Sequence, residues 1–331
     1  MIVLVDPEQA YAVQRALVAL GAWTTLERDA SGAALIVLPH SARLERQRIL
    51  ELRGVLSVLE APSAHPKLDG QRGQELRVRD VVIGRGQPVL IAGPCAIESP
   101  EQIEEAAMLA AAAGARILRG GAWKPRTSPY SFQGRGREAL EWMRHAATKF
   151  GLGVVTEVVS EGDVELVAEQ ADILQIGSRS MQSFALLRAV GSANKPVLLK
   201  RSASARLDEW RLAAEHLLVS GASAVIFCER GIVGFDASTR NLLDLTAVAV
   251  LKHVDGHLVM VDPSHAAGRR DLVLPLAKAA LAAGADGIIV ESHPDPANAR
   301  SDGPQALDPQ GLRTLGVELG FAPELPANDG E

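Results

Sequence analysis

LAAAAGARILRGG, residues 109–121, joins an alanine-rich helix to a short apolar strand through a Gly-Ala pair, and the strand ends on an arginine. The same order, with Gly-Ala or a similar pair at the junction, returns in VAEQADILQIGSR (167–179), LLVSGASAVIFCER (217–230) and LAAGADGIIVES (281–292). Strands that are apolar throughout and alternate with helices belong to a parallel sheet buried on both faces. Strands of this kind are predicted at Val89–Cys95, Arg116–Arg119, Gly153–Glu157, Asp172–Ile176, Pro196–Lys200, Ala224–Glu229, Leu258–Asp262 and Gly287–Glu291. Eight such units in roughly 230 residues predict an α/β fold of the (β/α)8 TIM barrel type. The segment Leu76–Gln87, with Gly84 and Gly86 at its turn, is expected to form a hairpin closing the barrel's bottom.

Upstream, the pattern changes. Met1–Val5, a helix over Glu8–Leu20, Trp23–Glu27, Ala33–Leu38, a helix over Leu44–Leu52 and Val55–Leu59 read as βαββαβ, a small ferredoxin-like module. Ala61–Gln74 carries Pro62, Pro66, Gly70 and Gly73 among polar residues and reads as a linker. The expected division is therefore 1–70 for the small domain with its linker and 71–320 for the barrel. A tail at 321–331, rich in Pro, Asp and Glu, is expected to be disordered.

Composition narrows the function. With 47% hydrophobic residues in 331, the chain can bury a large core, so disorder is excluded as its main state. No apolar run reaches the ~18–20 residues of a membrane span. The N-terminus MIVLVDPEQ carries an acid where a signal peptide carries bases, and a cytoplasmic protein is expected. A net charge of −6 argues against nucleic acid as a partner. Two cysteines, Cys95 and Cys228, make no disulfide framework, and Cys228 reads as core filling on the sixth strand.

In a barrel of this kind, chemistry sits at the C-terminal ends of the strands. Those ends carry Cys95, Arg119, Glu157, Arg179, Lys200, Arg230, His265 and Glu291. Three arginines and a lysine aimed into one mouth predict an anionic substrate. Cys95, His265, Glu291 and Asp302 offer sulfur, nitrogen and oxygen donors suited to a divalent Mn, Fe, Co or Zn ion. The first, seventh and eighth strands become neighbours when a barrel closes, so their separation in sequence is no obstacle. From spacing alone, Cys95 is equally readable as a small buried hydrophobe, His265 as a core histidine and Asp302 as a turn residue. The loop at 120–129 combines glycines with Lys124, Arg126, Thr127 and Ser128, a set suited to a phosphate monoester although it is no Walker loop. Ser99-Pro100-Glu101-Gln102 reads as a helix start.

These segments together resemble one family. IAGPCAIES (91–99), LRGGAWKPRTSPYSFQG (118–134), QIGSRSMQSF (175–184), KPVLLKR (195–201), CERGI (228–232), TRNLLDL (239–245), VDPSHAAGRRDLVLPL (261–276) and GIIVESHPDPANARSDGPQALD (287–308) are similar to the DAHP (3-deoxy-D-arabino-heptulosonate 7-phosphate) synthases. The likeness is to their type I beta form with an N-terminal ferredoxin-like regulatory domain, and it spans nearly all of 76–310. It implies a transferase that condenses phosphoenolpyruvate with erythrose 4-phosphate and water, releasing phosphate and opening the shikimate pathway. Carried over position by position, Cys95, His265, Glu291 and Asp302 would bind the metal. Arg119, Lys124 and Lys200 would hold the phosphoenolpyruvate carboxylate, and Arg179 and Arg230 its phosphate, with Glu157 nearby. Arg126, Thr127 and Ser128 would hold the aldehyde's phosphate. Lys124 is expected to move a proton to the nascent alkoxide, with a pKa lowered by the cations around it.

Departures from the family's pattern at Ser178, Ser180, Ser292 and Ser202–Arg206 touch no proposed ligand. The resemblance further implies feedback inhibition by tyrosine or phenylalanine at the N-terminal domain and a homotetramer. The related 3-deoxy-D-manno-octulosonate 8-phosphate synthases, which use arabinose 5-phosphate, are the nearest alternative, but their phosphate loop lacks the KPRTS run. A catalytically silent amino-acid sensor would have lost a ligand position, and a metal-dependent hydrolase leaves the cations unexplained.

Overall fold

The computed structural model describes residues 1–30, 32–38, 40–124 and 128–323. The chain divides into two compact units, Met1–Ala64 and His65–Glu331.

In the first unit, β1 (Ile2–Val5), β2 (Thr24–Asp29), β3 (Gly32–Val37) and β4 (Val55–Leu59) form an antiparallel sheet in the order β2-β3-β1-β4. Helices α1 (Ala10–Ala19) and α2 (Arg46–Leu50) complete the βαββαβ order. Strand alternation divides the sheet's faces: Val3, Val5, Leu35 and Val58 are buried with Val13, Leu17 and Ile49, whereas Ile2, Ile36 and Leu59 are exposed. Gly21 at φ +84° ends α1 in the left-handed conformation that glycine adopts without strain.

The second unit opens on α3 (Pro66–Asp69), inside the stretch that composition marks as linker. Leu68 is buried in the barrel's outer core, and the Glu215 carboxylate accepts the backbone N–H groups of Lys67 at 3.0 Å and Leu68 at 2.8 Å. These contacts bind the chain to the second unit from His65 onward.

The barrel strands are β7 (Val89–Gly93), β8 (Ile117–Arg119), β9 (Gly153–Glu157), β10 (Ile173–Ile176), β11 (Pro196–Lys200), β12 (Ala224–Glu229), β13 (Val259–Val261) and β14 (Gly287–Glu291). All pair in parallel, and the sheet closes as β14 meets β7. Around it run α4 (Pro100–Ala112), α5 (Arg137–Lys149), α6 (Val164–Gln170), α7 (Phe184–Ser192), α8 (Leu207–Val219), α9 (Leu245–Ala249), α10 (Pro263–Ala267), α11 (Val273–Ala282) and α12 (Pro309–Glu318). The α4 start is as read: Ser99 Oγ accepts the Gln102 N–H at 3.1 Å, and the Gln102 side chain accepts the Glu98 N–H at 3.3 Å.

Two cores follow from the period of two along each strand. Outward residues such as Leu118, Val154, Leu174, Leu199 and Phe227 pack against the helices. Inward residues, among them Ile91, Ile117, Val155, Ile173, Leu198, Ile226, Met260 and Ile289, fill the barrel. The hairpin of β5 (Leu76–Val78) and β6 (Val81–Ile83) adds Val78, Val81 and Ile83 to this inner cluster and closes its bottom. Cys228 lies in the same layer with no exposure, its thiol pushed up to about 12 by burial, so it is core filling. At the C-terminal end Phe321 packs against the outer core, and its N–H meets the Gly316 carbonyl at 2.8 Å. Residues 324–331 of the expected tail lie outside the described residues.

Candidate active site

Two residues beyond the apolar inner layer, the same inward alternation turns polar, and at all but one of these positions charged. Ile117 is followed by Arg119, Val155 by Glu157, Ile173 by Gln175, Leu198 by Lys200, Met260 by Asp262 and Ile289 by Glu291. The apolar layer below excludes water, so charges above it act in a low dielectric. They open into a cavity of about 300 Å3, whose lining includes Arg119, Lys124, Glu157, Arg179, Lys200, Arg230, Arg240, His265 and Asp302.

The floor is a buried network of ion pairs. Lys200 Nζ donates to Asp262 Oδ2 at 2.5 Å, and the same oxygen meets His265 Nδ1 at 2.7 Å. Asp262 also accepts the His265 backbone N–H at 2.9 Å as N-cap of α10, with Pro263 in the first helical turn. Its carboxyl is held well below the usual range: burial opposes this, but His265 and Lys200 outweigh it. On the far side His265 Nε2 lies 3.3 Å from Glu291 Oε1, which lies 3.2 Å from Arg119 Nη1. Burial lowers the His265 pKa, against the pull of Asp262 and Glu291.

Beside this network Cys95 Sγ lies 2.9 Å from Asp302 Oδ2 and 2.9 Å from Ser301 Oγ. Donor atoms of Cys95, Glu291 and Asp302 fall within 4.8 Å of one another. His265 is outside that mutual group but reaches its Glu291 corner. Glu291 Oε1 is buried and has no hydrogen-bond donor, although its other oxygen accepts from Gln305 Nε2 at 2.5 Å. Burial, with the Glu291 charge adding to it, pushes the Cys95 thiol up to about 12. A buried thiol beside two carboxylates and an oxygen without a donor fit a divalent cation, which would complete the charge balance and favour the thiolate.

Lys124 corrects the expectation of a lowered pKa. Burial does press it down, but Cys95, Glu157 and Glu291 together outweigh burial, so it stays above the ordinary lysine value. Reading cations alone along the sequence misses the acids that closure sets beside them. Lys124 Nζ donates to the Cys95 carbonyl at 3.1 Å. Glu157 is pressed against Gly177, where a Cβ would come within 1.9 Å of its Oε1. Ser128 is exposed, with its Oγ accepting the Tyr130 N–H at 3.4 Å. Arg126 and Thr127 lie outside the described residues.

Three participants escape the sequence reading. Asp262 had a signal, its place in the Asp-Pro-x-His helix start. Arg240 lines the cavity from a loop ten residues past Arg230, and Gln305 is neutral; neither carries a spacing cue.

A closed parallel barrel whose mouth gathers six cations over a Cys/His/carboxylate donor cluster defines an enzyme site for small polyanions. The chain belongs to the DAHP synthetase I family, whose model matches residues 63–320. It is 52% identical over 241 residues to the phospho-2-dehydro-3-deoxyheptonate aldolase of Thermotoga maritima, covering 72% of this chain and 71% of that one. A 2-dehydro-3-deoxyphosphooctonate aldolase of Xylella fastidiosa strain M12 is 33% identical over 266 residues, covering 74% of this chain and 94% of its own. Among solved structures, the Thermotoga maritima DAHP synthase superposes with a TM-score of 0.75 at 41% identity over 96% of both chains. A truncated form of the Thermotoga maritima enzyme gives 0.70 at 46% identity, covering 75% of this chain and 91% of that one. Among the described residues no helix is long and apolar enough to cross a membrane.

Proposed function

We propose that the barrel condenses phosphoenolpyruvate with erythrose 4-phosphate and water to give 3-deoxy-D-arabino-heptulosonate 7-phosphate and phosphate, the first step of the shikimate pathway. The observation that carries this reading is the convergence of Arg119, Lys124, Arg179, Lys200 and Arg230 in one cavity beside the Cys95, Glu291 and Asp302 donors, in a chain of this family.

Arg119, Lys124 and Lys200 take the phosphoenolpyruvate carboxylate; Arg179 and Arg230 take its phosphate, with Glu157 at the cavity wall. Arg126, Thr127 and Ser128 receive the phosphate of the aldehyde. Held so, C3 of the enol faces the aldehyde carbon, and orientation replaces a bimolecular encounter. Cys95, His265, Glu291 and Asp302 would hold a divalent Mn, Fe, Co or Zn ion. When bound, that ion supplies Lewis acidity toward the aldehyde oxygen. Lys124, protonated at neutral pH, gives a proton to the alkoxide formed as C3 bonds to the carbonyl carbon, and water replaces phosphate at C2. Negative charge developing at the aldehyde oxygen meets cations already in place, which lowers the barrier without reorganisation.

The N-terminal unit binds tyrosine or phenylalanine and regulates the barrel in this reading, in a cytoplasmic homotetramer. The βαββαβ order supports a separate N-terminal unit, and the likeness to the Thermotoga synthase runs over 96% of both chains, that unit included. Mass spectrometry of the product tests the reaction: a seven-carbon sugar acid phosphate with one equivalent of inorganic phosphate is expected, and an eight-carbon product from arabinose 5-phosphate at equal or higher rate would move the chain to the octulosonate reaction.

A further inference from the structure

The cations of the cleft are not balanced alike. Arg119 faces Glu291 at 3.2 Å and Lys200 faces Asp262 at 2.5 Å, so the carboxylate end of the site is largely neutralised from within the protein. Among the described residues, Arg230 and Arg240 have no carboxylate within ion-pair distance. Arg230 is nine-tenths buried and its Nε has no hydrogen-bond partner. Burial lowers its pKa, outweighing the opposing charge of Asp262, and repulsion from Arg240 adds to the lowering. Two guanidiniums with no direct carboxylate partner match the charge of a phosphate monoester dianion, and planar N–H forks are the groups that bind it with two parallel hydrogen bonds.

Arg240 is also held in place. Its backbone N–H donates to the Ala267 carbonyl at 3.0 Å, and Asn241 Nδ2 donates to the His265 carbonyl at 3.1 Å, laying this segment along α10. Gly268, at φ +70°, lets the Arg240 stem approach; a Cβ there would come within 2.7 Å of Arg240 Cβ. The guanidinium Nη1 donates to Gln305 Oε1 at 3.1 Å, and Gln305 Nε2 donates to Glu291 Oε2 at 2.5 Å.

We infer that Arg240 is a further substrate-binding residue, a guanidinium that shares the phosphoenolpyruvate phosphate with Arg230, and that Gln305 is a positioning residue tying Arg240 to Glu291. The inference rests on the reading of Arg230 as a phosphate contact. Phosphate occupancy and the set of the Glu291 carboxylate are then linked through two hydrogen bonds.

The test uses the full-length metal-loaded protein, inorganic phosphate as calorimetric probe, and steady-state KM values for both substrates. Arg240→Gln is expected to weaken phosphate binding and raise the phosphoenolpyruvate KM by about 10-fold or more, as loss of a charged hydrogen-bond pair does, with the erythrose 4-phosphate KM changed less than about 3-fold. Arg240→Lys, which keeps the charge and most of the stem, recovers part of the loss and covers the case in which the glutamine variant fails to fold. Arg230→Gln is run in parallel. If Arg230→Gln weakens phosphate binding and neither Arg240 variant does, the role of Arg240 is overturned alone; if Arg230→Gln has no effect, the underlying phosphate placement fails with it. A rise confined to the erythrose 4-phosphate KM in the Arg240 variants would likewise overturn the assignment.

Discussion

Asp262 serves Lys200 and His265 at once from a position with no solvent exposure. Removing its charge leaves Lys200 unpaired beneath the cleft, and breaking a buried pair from one side costs about 3–5 kcal/mol. Asp262→Asn is therefore expected to lower the unfolding free energy obtained from urea titration by that order, and a variant as stable as the parent would contradict the network. Lys124 makes a second prediction: in the proposed reaction Lys124→Met would remove both a substrate cation and the proton donor, so kcat should fall by roughly 10^2–10^4 with circular dichroism unchanged. Near-full turnover with both substrates would sink the proton-transfer role. At this scale the sequence was partly legible. Cys95 and Glu291 are legible once strand closure is assumed, because they sit at or just beyond strand ends, and Asp302 because the loop after β14 returns over the same mouth. Arg240 and Gln305 are not, because their roles arise from hydrogen bonds across segments 65 residues apart.

Strands are legible as short apolar runs between helical segments, yet β7 ends at Gly93 rather than Cys95. Gly93 turns to φ +148°, and a Cβ there would come within 2.1 Å of the Arg119 carbonyl oxygen, so the chain leaves the ladder where the donors begin. Gly93→Ala should cost at least ~2 kcal/mol through overpacking against backbone, read as a fall in thermal midpoint together with loss of turnover. Between α9 and β13, His257 rests against Phe227 with ring centroids 5.6 Å apart, and its Nε2 is buried with no partner. Burial, outweighing the Asp255 charge, pushes its pKa down to about 4. Above about pH 7 the ring is neutral whether folded or unfolded. As pH falls from about 6.5 toward 4, the unfolded chain takes up a proton that the folded chain refuses, so stability drops, levelling off below the folded value. The loss is on the order of 1–3 kcal/mol, and His257→Phe should flatten that part of the stability curve measured by urea titration.

The two units differ in what their sequences disclose. The barrel announces both fold and chemistry because its strand ends carry the site, whereas the N-terminal unit shows only a fold, its buried residues being the aliphatic set any small sheet needs. Placing Leu68 and the Lys67 and Leu68 amides on the barrel unit shows where a division should be made. A fragment beginning at His65 is expected to fold and condense both substrates and, under the proposed regulation, to escape inhibition by tyrosine or phenylalanine; one beginning at Leu76 forfeits the α3 contacts and should melt at a lower temperature. A His65 fragment still inhibited like the full chain would contradict regulation through the N-terminal unit. The central claim concerns the cleft itself, and phosphate release from phosphoenolpyruvate tests it most directly, measured with erythrose 4-phosphate and arabinose 5-phosphate in parallel, before and after chelation. Metal-dependent release with the four-carbon aldehyde alone is predicted; release with neither aldehyde by metal-loaded protein would contradict it.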